Sequence, residues 1–367
     1  MELTVNKILD DKDFATYLSI VDSFDVINPF SKFLKSIINE GDGNELRYFT
    51  FKKDNGDILI LMPFVLRKIA TRIDSTNYYD VISPYGYSGP LFNTNMSRGY
   101  LIEFWEQVDS WYKANSVVSE FIRFSLNNNF QFYSGVLIPT LSNVRGVILD
   151  EETQWSNLKQ KVRTNCRKAI SNNLTSNIVY KNIENADIER FYNIYISTMK
   201  RVNANTDYYY SLDYFKNITR LSKDKIVYVF IYKDDLPIST ELILIAGDTL
   251  YSYLGGTLMD YFNLRPNDFL KVEVMKWARA NNFEYYNLGG GREDLDNLYR
   301  YKKSFFPNDE DIIFYTGRKI VNKDIYAKLV HTHNALEEGE KKPEQNKIGF
   351  FPAYRKAGTL PTKSKSA

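Results

Sequence analysis

One arrangement of strands, turns and landmark residues occurs twice in this sequence, and it constrains the fold more than any other feature. An apolar and aromatic run, Leu46–Lys52, is followed by Asp54-Asn55-Gly56 and then by a second run, Ile58–Phe64. Asn and Gly tolerate the positive φ of tight turns, so this segment predicts a β-hairpin. The same order returns at Ile226–Tyr232, the turn Lys233–Pro237 and Ile238–Ile245. Downstream of each hairpin comes a Tyr-x-Gly segment, Tyr87-Ser88-Gly89 or Tyr253-Leu254-Gly255, and then a helical stretch carrying a tryptophan, Trp111 or Trp277. Gly89 to Gly255 and Trp111 to Trp277 are the same 166 residues apart. The turns, Gly56 and Asp235, are 179 apart, which gives the first copy about 13 extra residues between Arg67 and Tyr79. Each copy ends in a further strand, Phe121–Leu126 or Glu284–Leu288.

A unit of helices, hairpin, helix and strand occurring twice predicts two similar α+β halves. The second half opens at Asp150-Glu151-Glu152-Thr153, leading into one helix over Trp155–Ile170 with an acidic first turn that suits the helix dipole. The expected domains are therefore 1–150 and 151–330, with 331–367 as an extension that packs back on the first domain. From about Glu337 the chain reads as loosely structured, and Thr362–Ala367 as a frayed tail.

Composition excludes several classes. With 44% hydrophobic residues and only 18 Gly and 11 Pro, this is not a disordered or collagen-like chain. Lys and Arg (47) barely exceed Asp and Glu (45), so any phosphate or nucleic-acid contact must be a local patch. The 28 Tyr and 24 Phe favour large half-buried surfaces in which a ring packs while a hydroxyl meets solvent or ligand. A single cysteine, Cys166, excludes an intramolecular disulfide and multi-cysteine zinc sites, and fits a reducing compartment. The acidic start, Met1–Phe14, does not read as a secretory signal, and no apolar run approaches the ~18 to 20 residues that span a bilayer. The reading is a cytoplasmic protein.

Three segments can carry chemistry. Lys159, Lys161, Arg163, Arg167 and Lys168 lie within ten residues containing no acid, and Arg163 and Arg167 share a helix face. Such a face grips a phosphate, touches a nucleic-acid backbone, or is simply solvated. Next, Tyr251–Thr257 ends in Gly255-Gly256 before a helix with the apolar stripe Leu270, Val274, Trp277 and Ala278, for which Asn267 is the expected N-cap. A helix start of this kind receives an anion or is plain turn-and-cap chemistry. Finally, Asn287-Leu288-Gly289-Gly290-Gly291 lets backbone approach a ligand, with Arg300, Lys302 and Lys303 nearby. No Gly-Lys-Ser/Thr follows these glycines, so they are not a P-loop.

The two histidines, His331 and His333, sit together and leave a Ser or Cys nucleophile without a base; no third metal ligand accompanies them, and no metal is expected. Cys166 reads as structural. A group transfer in which positioning and electrostatics do most of the work, with an amine attacking an activated acyl group, suits what remains.

These strings resemble the Fem-type acyltransferases. The resemblance is carried by Ser83-Pro84-Tyr85-Gly86-Tyr87-Ser88-Gly89-Pro90, Lys161–Ala169, Tyr251–Thr257, Arg265–Lys271, Asn287–Gly291, Tyr299–Phe305 and Phe350–Arg355. It covers most of the chain from about residue 80. It implies two tandem GNAT-like (acyl-CoA N-acyltransferase) domains with mixed, mostly antiparallel sheets flanked by helices. The implied activity is N-acyl transfer from acyl-CoA or aminoacyl-tRNA to the amine of a nucleotide- or lipid-linked sugar or peptide precursor in cell-envelope or polysaccharide biosynthesis. Transfer RNA is a partner under the second donor, and the inner membrane face a location if the acceptor is lipid-linked; the sequence sets no oligomeric state. An aminoacyl-tRNA-dependent peptidoglycan bridge transferase and a non-catalytic module that binds a glycan precursor are the alternatives.

By the same resemblance Lys302 stabilises the oxyanion or holds a donor phosphate, and Arg163 and Arg167 contact donor or acceptor phosphates. Tyr85, Gly86 and Tyr87 line an acceptor cleft between the domains, with Tyr253, Gly255 and Gly256 opposite. Asn267, Gly289, Gly290 and Lys303 complete the binding set, and Glu241 is the candidate to accept the amine's proton. Two departures stand out: the helical hairpin that some cell-wall members insert in the second domain is absent, and Asn263–Asn267 replaces the Gln/Arg-x-x-Gly-x-Gly/Ala loop with which ordinary GNAT enzymes hold the CoA pyrophosphate.

Overall fold

The computed structural model describes all residues except 26, 27, 29, 33–43, 72, 338–348 and 356–367. The expected frayed tail therefore lies outside the described residues. Chain contacts divide the protein into unit 1, Met1–Phe24, Ile37–Ile138 and Tyr315–Ala367, and unit 2, Asp25–Ser36 and Pro139–Phe314.

Unit 1 begins with β1 (Glu2–Lys7), α1 (Asp11–Val21), β2 (Asn44–Lys52), β3 (Ile58–Lys68), β4 (Tyr79–Ile82), α2 (Arg98–Ala114) and β5 (Val117–Arg123). The hairpin expected around Asn55-Gly56 is β2 and β3, and Gly56 takes the φ of 91° that its turn needs. β1 to β4 run antiparallel, and β5 joins β4 in parallel after α2. Phe104, Trp105, Val108 and Tyr112 of α2 are buried against Phe49, Phe51, Phe64 and Val81 of the sheet.

The chain passes through β6 (Val136–Val147) into α3 (Glu151–Asn157), α4 (Gln160–Ser171), β7 (Leu174–Tyr180), α5 (Asn185–Arg201), α6 (Leu212–Ser222), β8 (Ile226–Lys233), β9 (Leu236–Ala246), β10 (Thr249–Thr257), α7 (Pro266–Ala280), β11 (Tyr285–Gly289) and α8 (Asn297–Lys303). β7 to β10 run antiparallel and β11 joins β10 in parallel after α7, so unit 2 repeats the topology of unit 1. Leu270, Val274 and Ala278 of α7 are buried, as the stripe predicts, while Trp277 stays half-buried with its edge against Tyr180.

One expectation is corrected. The single helix over 155–170 is broken at Leu158-Lys159 into α3 and α4. Lys159 N–H leaves the helical ladder to donate to Ser304 O at 3.0 Å, and the Arg163 guanidinium takes the freed carbonyls of Ser156 and Leu158 at 2.6 and 2.8 Å. The boundaries at 150 and 330 also differ from the contact division. β6 follows β5 in sequence yet pairs with β11 of unit 2, and β5 takes as its partner β12 (Ile312–Ile320), the last strand among the described residues. Each half's final strand is thus supplied by the other half's stretch of sequence, an exchange that propensity and periodicity do not register. α9 (Lys323–Glu337) follows β12.

Candidate functional site

The site is built where β10 and β11 part. Their parallel ladder lasts three residue pairs, from Thr249/Tyr285 to Tyr251/Asn287. A register shift in β10 between Ser252 and Leu254, and another in β11 between Asn287 and Gly289, then turn the strands away from each other. Gly289 takes a φ of 75° at this point. Gly255 and Gly256, on the last residues of β10, are required by close approach: a Cβ would meet Thr240 O at 2.7 Å on Gly255, and Thr198 Oγ1 at 2.5 Å on Gly256.

Glu241 lies at the floor of this splay. It faces α7 from β9, paired with Val229 on one side and Gly255 on the other, and is 3% exposed. A carboxylate in an apolar strand requires partners. They are Lys271, whose Nζ donates to Oε1 at 2.5 Å, Tyr286, whose hydroxyl donates to Oε2 at 2.7 Å, and Ser252, which donates to Oε1. Lys271 Nζ also reaches Ser252 Oγ at 3.1 Å and Tyr286 OH at 3.2 Å. Burial, then the Glu241 charge, raise the Tyr286 hydroxyl well above its ordinary range, so it donates rather than ionises.

Lys302, on α8, extends the cluster. Its Nζ donates to Gly290 O at 2.6 Å, which joins the glycine run to α8. Burial, with the nearby Lys271 charge, pulls its ammonium down to about 8, and Glu241 and Asp296 oppose the shift. It is therefore still mostly the ammonium at neutral pH but loses its proton at a lower pH than an ordinary lysine.

The remaining expected residues divide. Tyr253 OH is 2.5 Å from Tyr214 OH, in a wall where Tyr210 stacks on Tyr214 at 4.2 Å. Asn267 is not the N-cap of α7: Arg265 occupies that position with a φ of 65° and Pro266 is the first helical residue. Asn267 Oδ1 instead accepts from Thr257 Oγ1 at 2.5 Å and Ser239 Oγ at 3.1 Å, tying the end of β10 to α7. Lys303 pairs with Asp311 at 2.7 Å. Arg163 Nη2 donates to Gln160 at 2.8 Å, so with its two carbonyl partners the guanidinium is engaged within the α3–α4 junction, while Arg167 is exposed over the Trp155 ring at 5.6 Å. Tyr85, Gly86 and Tyr87 belong to unit 1, in the loop after β4. Cys166 is buried and its thiol is pushed up to about 12, first by burial and then by Asp268 and Glu273, so it is unreactive.

Lys271, Tyr286 and Ser252 were missed by sequence reasoning. The available signal was Glu241 itself: an acid inside an apolar strand calls for a cation on the helix packed across it, and Lys271 lies one turn before Val274 and Met275 on the buried side of α7.

Residues 160–303 match the acetyltransferase (GNAT) domain family, and the two splayed strands, the glycines at their opening and the buried acid, lysine and two hydroxyls beneath lie within that stretch. Over most of its length the chain is similar in fold to three solved structures. FemX is similar at 13% identity, with 89% of this chain and 99% of FemX covered and a TM-score of 0.59. The C-terminal domain of a putative lysylphosphatidylglycerol synthetase from Agrobacterium fabrum is similar at 14% identity, with 89% and 96% covered and a TM-score of 0.56. L-PGS from Bacillus licheniformis is similar at 11%, with 87% and 94% covered and a TM-score of 0.52. No curated protein matches the sequence. No helix among the described residues is long and apolar enough to cross a membrane.

Proposed function

We propose that this acyltransferase moves an activated acyl or aminoacyl group onto the amine of a nucleotide- or lipid-linked sugar or peptide precursor, at the splay of unit 2. The observation that carries this reading is the Lys302 ammonium on Gly290 O, with Glu241, Lys271 and Tyr286 beneath it. An amine attacking a thioester or ester carbonyl gives a tetrahedral oxyanion and a cationic nitrogen. Lys302 meets the oxyanion as a charged donor at the glycine run. Glu241, already shared by Lys271, Ser252 and Tyr286, is the terminal acceptor for the amine's proton, and the two hydroxyls give that proton a short path inward. Tyr253, Gly255, Gly256, Gly289 and Gly290 form the walls, Asn267 fixes the end of β10, and Arg167 is the exposed cation available to a phosphate. The Fem-type resemblance supports an acceptor from cell-envelope biosynthesis, reached at the inner membrane face when it is lipid-linked.

The test is transfer of labelled acetyl from acetyl-CoA, and of labelled amino acid from charged transfer RNA, to a UDP-linked amino sugar and to a UDP-linked muramoyl peptide. Transfer by the wild type that falls ~10²-fold or more in Lys302→Ala supports the reading. A folded wild type that transfers from neither donor to either acceptor overturns it in favour of a glycan-precursor binding module.

A further inference from the structure

The two exchanged strands, β6 and β12, differ in what they bring to the sheet. By register on β5, Gly317 of β12 lies opposite Ile122 and Lys319 lies opposite Glu120, so these four share the face that packs on α2. A Cβ on Gly317 would meet the Phe124 ring at 2.6 Å and the Tyr133 ring at 2.7 Å, so this position takes no side chain. Two residues on, Lys319 is 8% exposed. Its Nζ donates to Asp109 Oδ1 of α2 at 2.5 Å and lies 3.3 Å from Glu120 Oε2, with the rings of Trp105, Tyr112 and Tyr133 at 5.1, 5.5 and 4.9 Å.

Glu120 is what calls for a lysine here. It is fully buried in the core of unit 1 and accepts from the Tyr112 and Tyr133 hydroxyls, the second at 2.9 Å. Burial, then the Glu120 charge, raise both phenols well above their ordinary range, so they remain donors. Two neutral hydroxyls do not neutralise a buried carboxylate. Lys319 is its ion-pair partner, and the one such partner among the described residues.

β6 follows β5 directly in sequence and also carries a glycine that packs beneath a ring, because a Cβ on Gly146 would run into Phe306. Laid against β5 with Gly146 in the place of Gly317, β6 would bring Ile148 opposite Glu120. Its one charged residue, Arg145, would then lie on the other face. Glu120 and Asp109 would be left without a cation. A one-residue slip of β12 fails as well: it turns Lys319 to the face of Phe121 and Arg123, and drives Thr316 or Arg318 into the space beneath Phe124 and Tyr133.

We propose that Gly317 and Lys319 form a pairing lock: the glycine sets the register of β12 on β5, and the lysine, by neutralising Glu120, admits β12 and rejects β6. The backbone of either strand can close the edge of β5, so ladder hydrogen bonds alone do not choose between them. A buried charge whose partner only one strand carries does choose, at a cost in stability relative to an apolar core. The lock is independent of the acyl transfer proposed above.

Refolding of the full chain from urea in a glutathione redox buffer tests it, in a Cys166→Ser background carrying Phe121→Cys, Val147→Cys and Arg318→Cys. The thiol at position 121 closes either onto position 318, its native neighbour, or onto position 147, which takes that place when Gly146 replaces Gly317. Peptide mapping of the disulfides gives the ratio of the two. The 121–318 bridge is expected to dominate when Lys319 is present, and the ratio to fall tenfold or more in Lys319→Met and in Glu120→Gln. In the double variant Glu120→Gln/Lys319→Met, the melting temperature is expected to return toward that of the starting protein while the ratio stays low, which separates a lock from a plain stabilising contact. Lys323→Met, exposed just beyond β12, is expected to leave the ratio unchanged. An unaltered ratio in both single variants, a ratio that recovers together with stability in the double variant, or an equal fall in Lys323→Met overturns the proposal. The ratio is read on refolding molecules, so a variant that does not reach the native state still decides.

Discussion

Lys271 Nζ and Glu241 Oε1 lie 2.5 Å apart across the packing of α7 on β9, with Glu241 buried, Lys271 half-buried, and Val229, Ile243 and Val274 of the apolar core around them. Removing one partner leaves the other charged in a poorly solvated place. Glu241→Gln is expected to cost about 3–5 kcal/mol of stability, and the double variant Glu241→Gln/Lys271→Met to recover much of that loss. Urea denaturation of the four proteins measures the coupling. Additive losses would show that the two groups do not stabilise one another.

Lys302 links stability to pH with a definite sign. Its folded-state value of about 8 lies below that of a lysine in an unfolded chain, ~10.4, so between these limits the unfolded state holds more protons. Stability contributed at this position should rise with pH across that window, and the deficit relative to Lys302→Met should shrink from pH 8 to pH 10. Turnover that requires the ammonium should fall over the same range. A pH-independent difference in melting temperature between the two proteins would remove the shift.

Gly256 sits where a methyl group would meet Thr198 Oγ1 at 2.5 Å and Ile194 O at 2.9 Å on α5. Gly256→Ala is expected to cost about 1–3 kcal/mol by overpacking. Combining it with Thr198→Ala should return part of this, because one of the two obstructions is a side chain. Full stability in the single variant would show that α5 gives way freely.

Arg163→Ala should separate scaffolding from binding. Its guanidinium holds Ser156 O, Leu158 O and Gln160, so its loss is expected to lower the melting temperature by several degrees while KM for phosphate-bearing substrates stays within twofold. Arg167→Ala should do the opposite, given that its side chain lies exposed on Trp155. A raised KM at unchanged stability in Arg163→Ala would return that residue to the binding set.

Much of the fold was legible because it is written in local signals. Asn55-Gly56 marks one hairpin, the buried stripe Leu270, Val274 and Ala278 marks α7, and the equal spacing of the glycines and tryptophans marks the duplication. What escaped is non-local. The break at Leu158-Lys159 depends on Ser304 O, a group far along the chain. Lys271 reads as one more polar helix residue until Glu241 is placed opposite it, and Asp80 reads as one acid in a strand until Arg67 and Arg355 arrive on its two oxygens. The partners that give these side chains their meaning come from other parts of the sequence.

The crossed final strands have a consequence for how the protein comes into being. A polypeptide emerging from the ribosome completes β5 well before that strand's partner, β12, has been made. In the meantime β5 has an open edge, and β6, immediately downstream, is the nearest strand able to close it. Synthesis therefore passes through a stage at which the first half has an unpaired strand beside a wrong neighbour, and a cut at the apparent repeat boundary would leave β5 without β12.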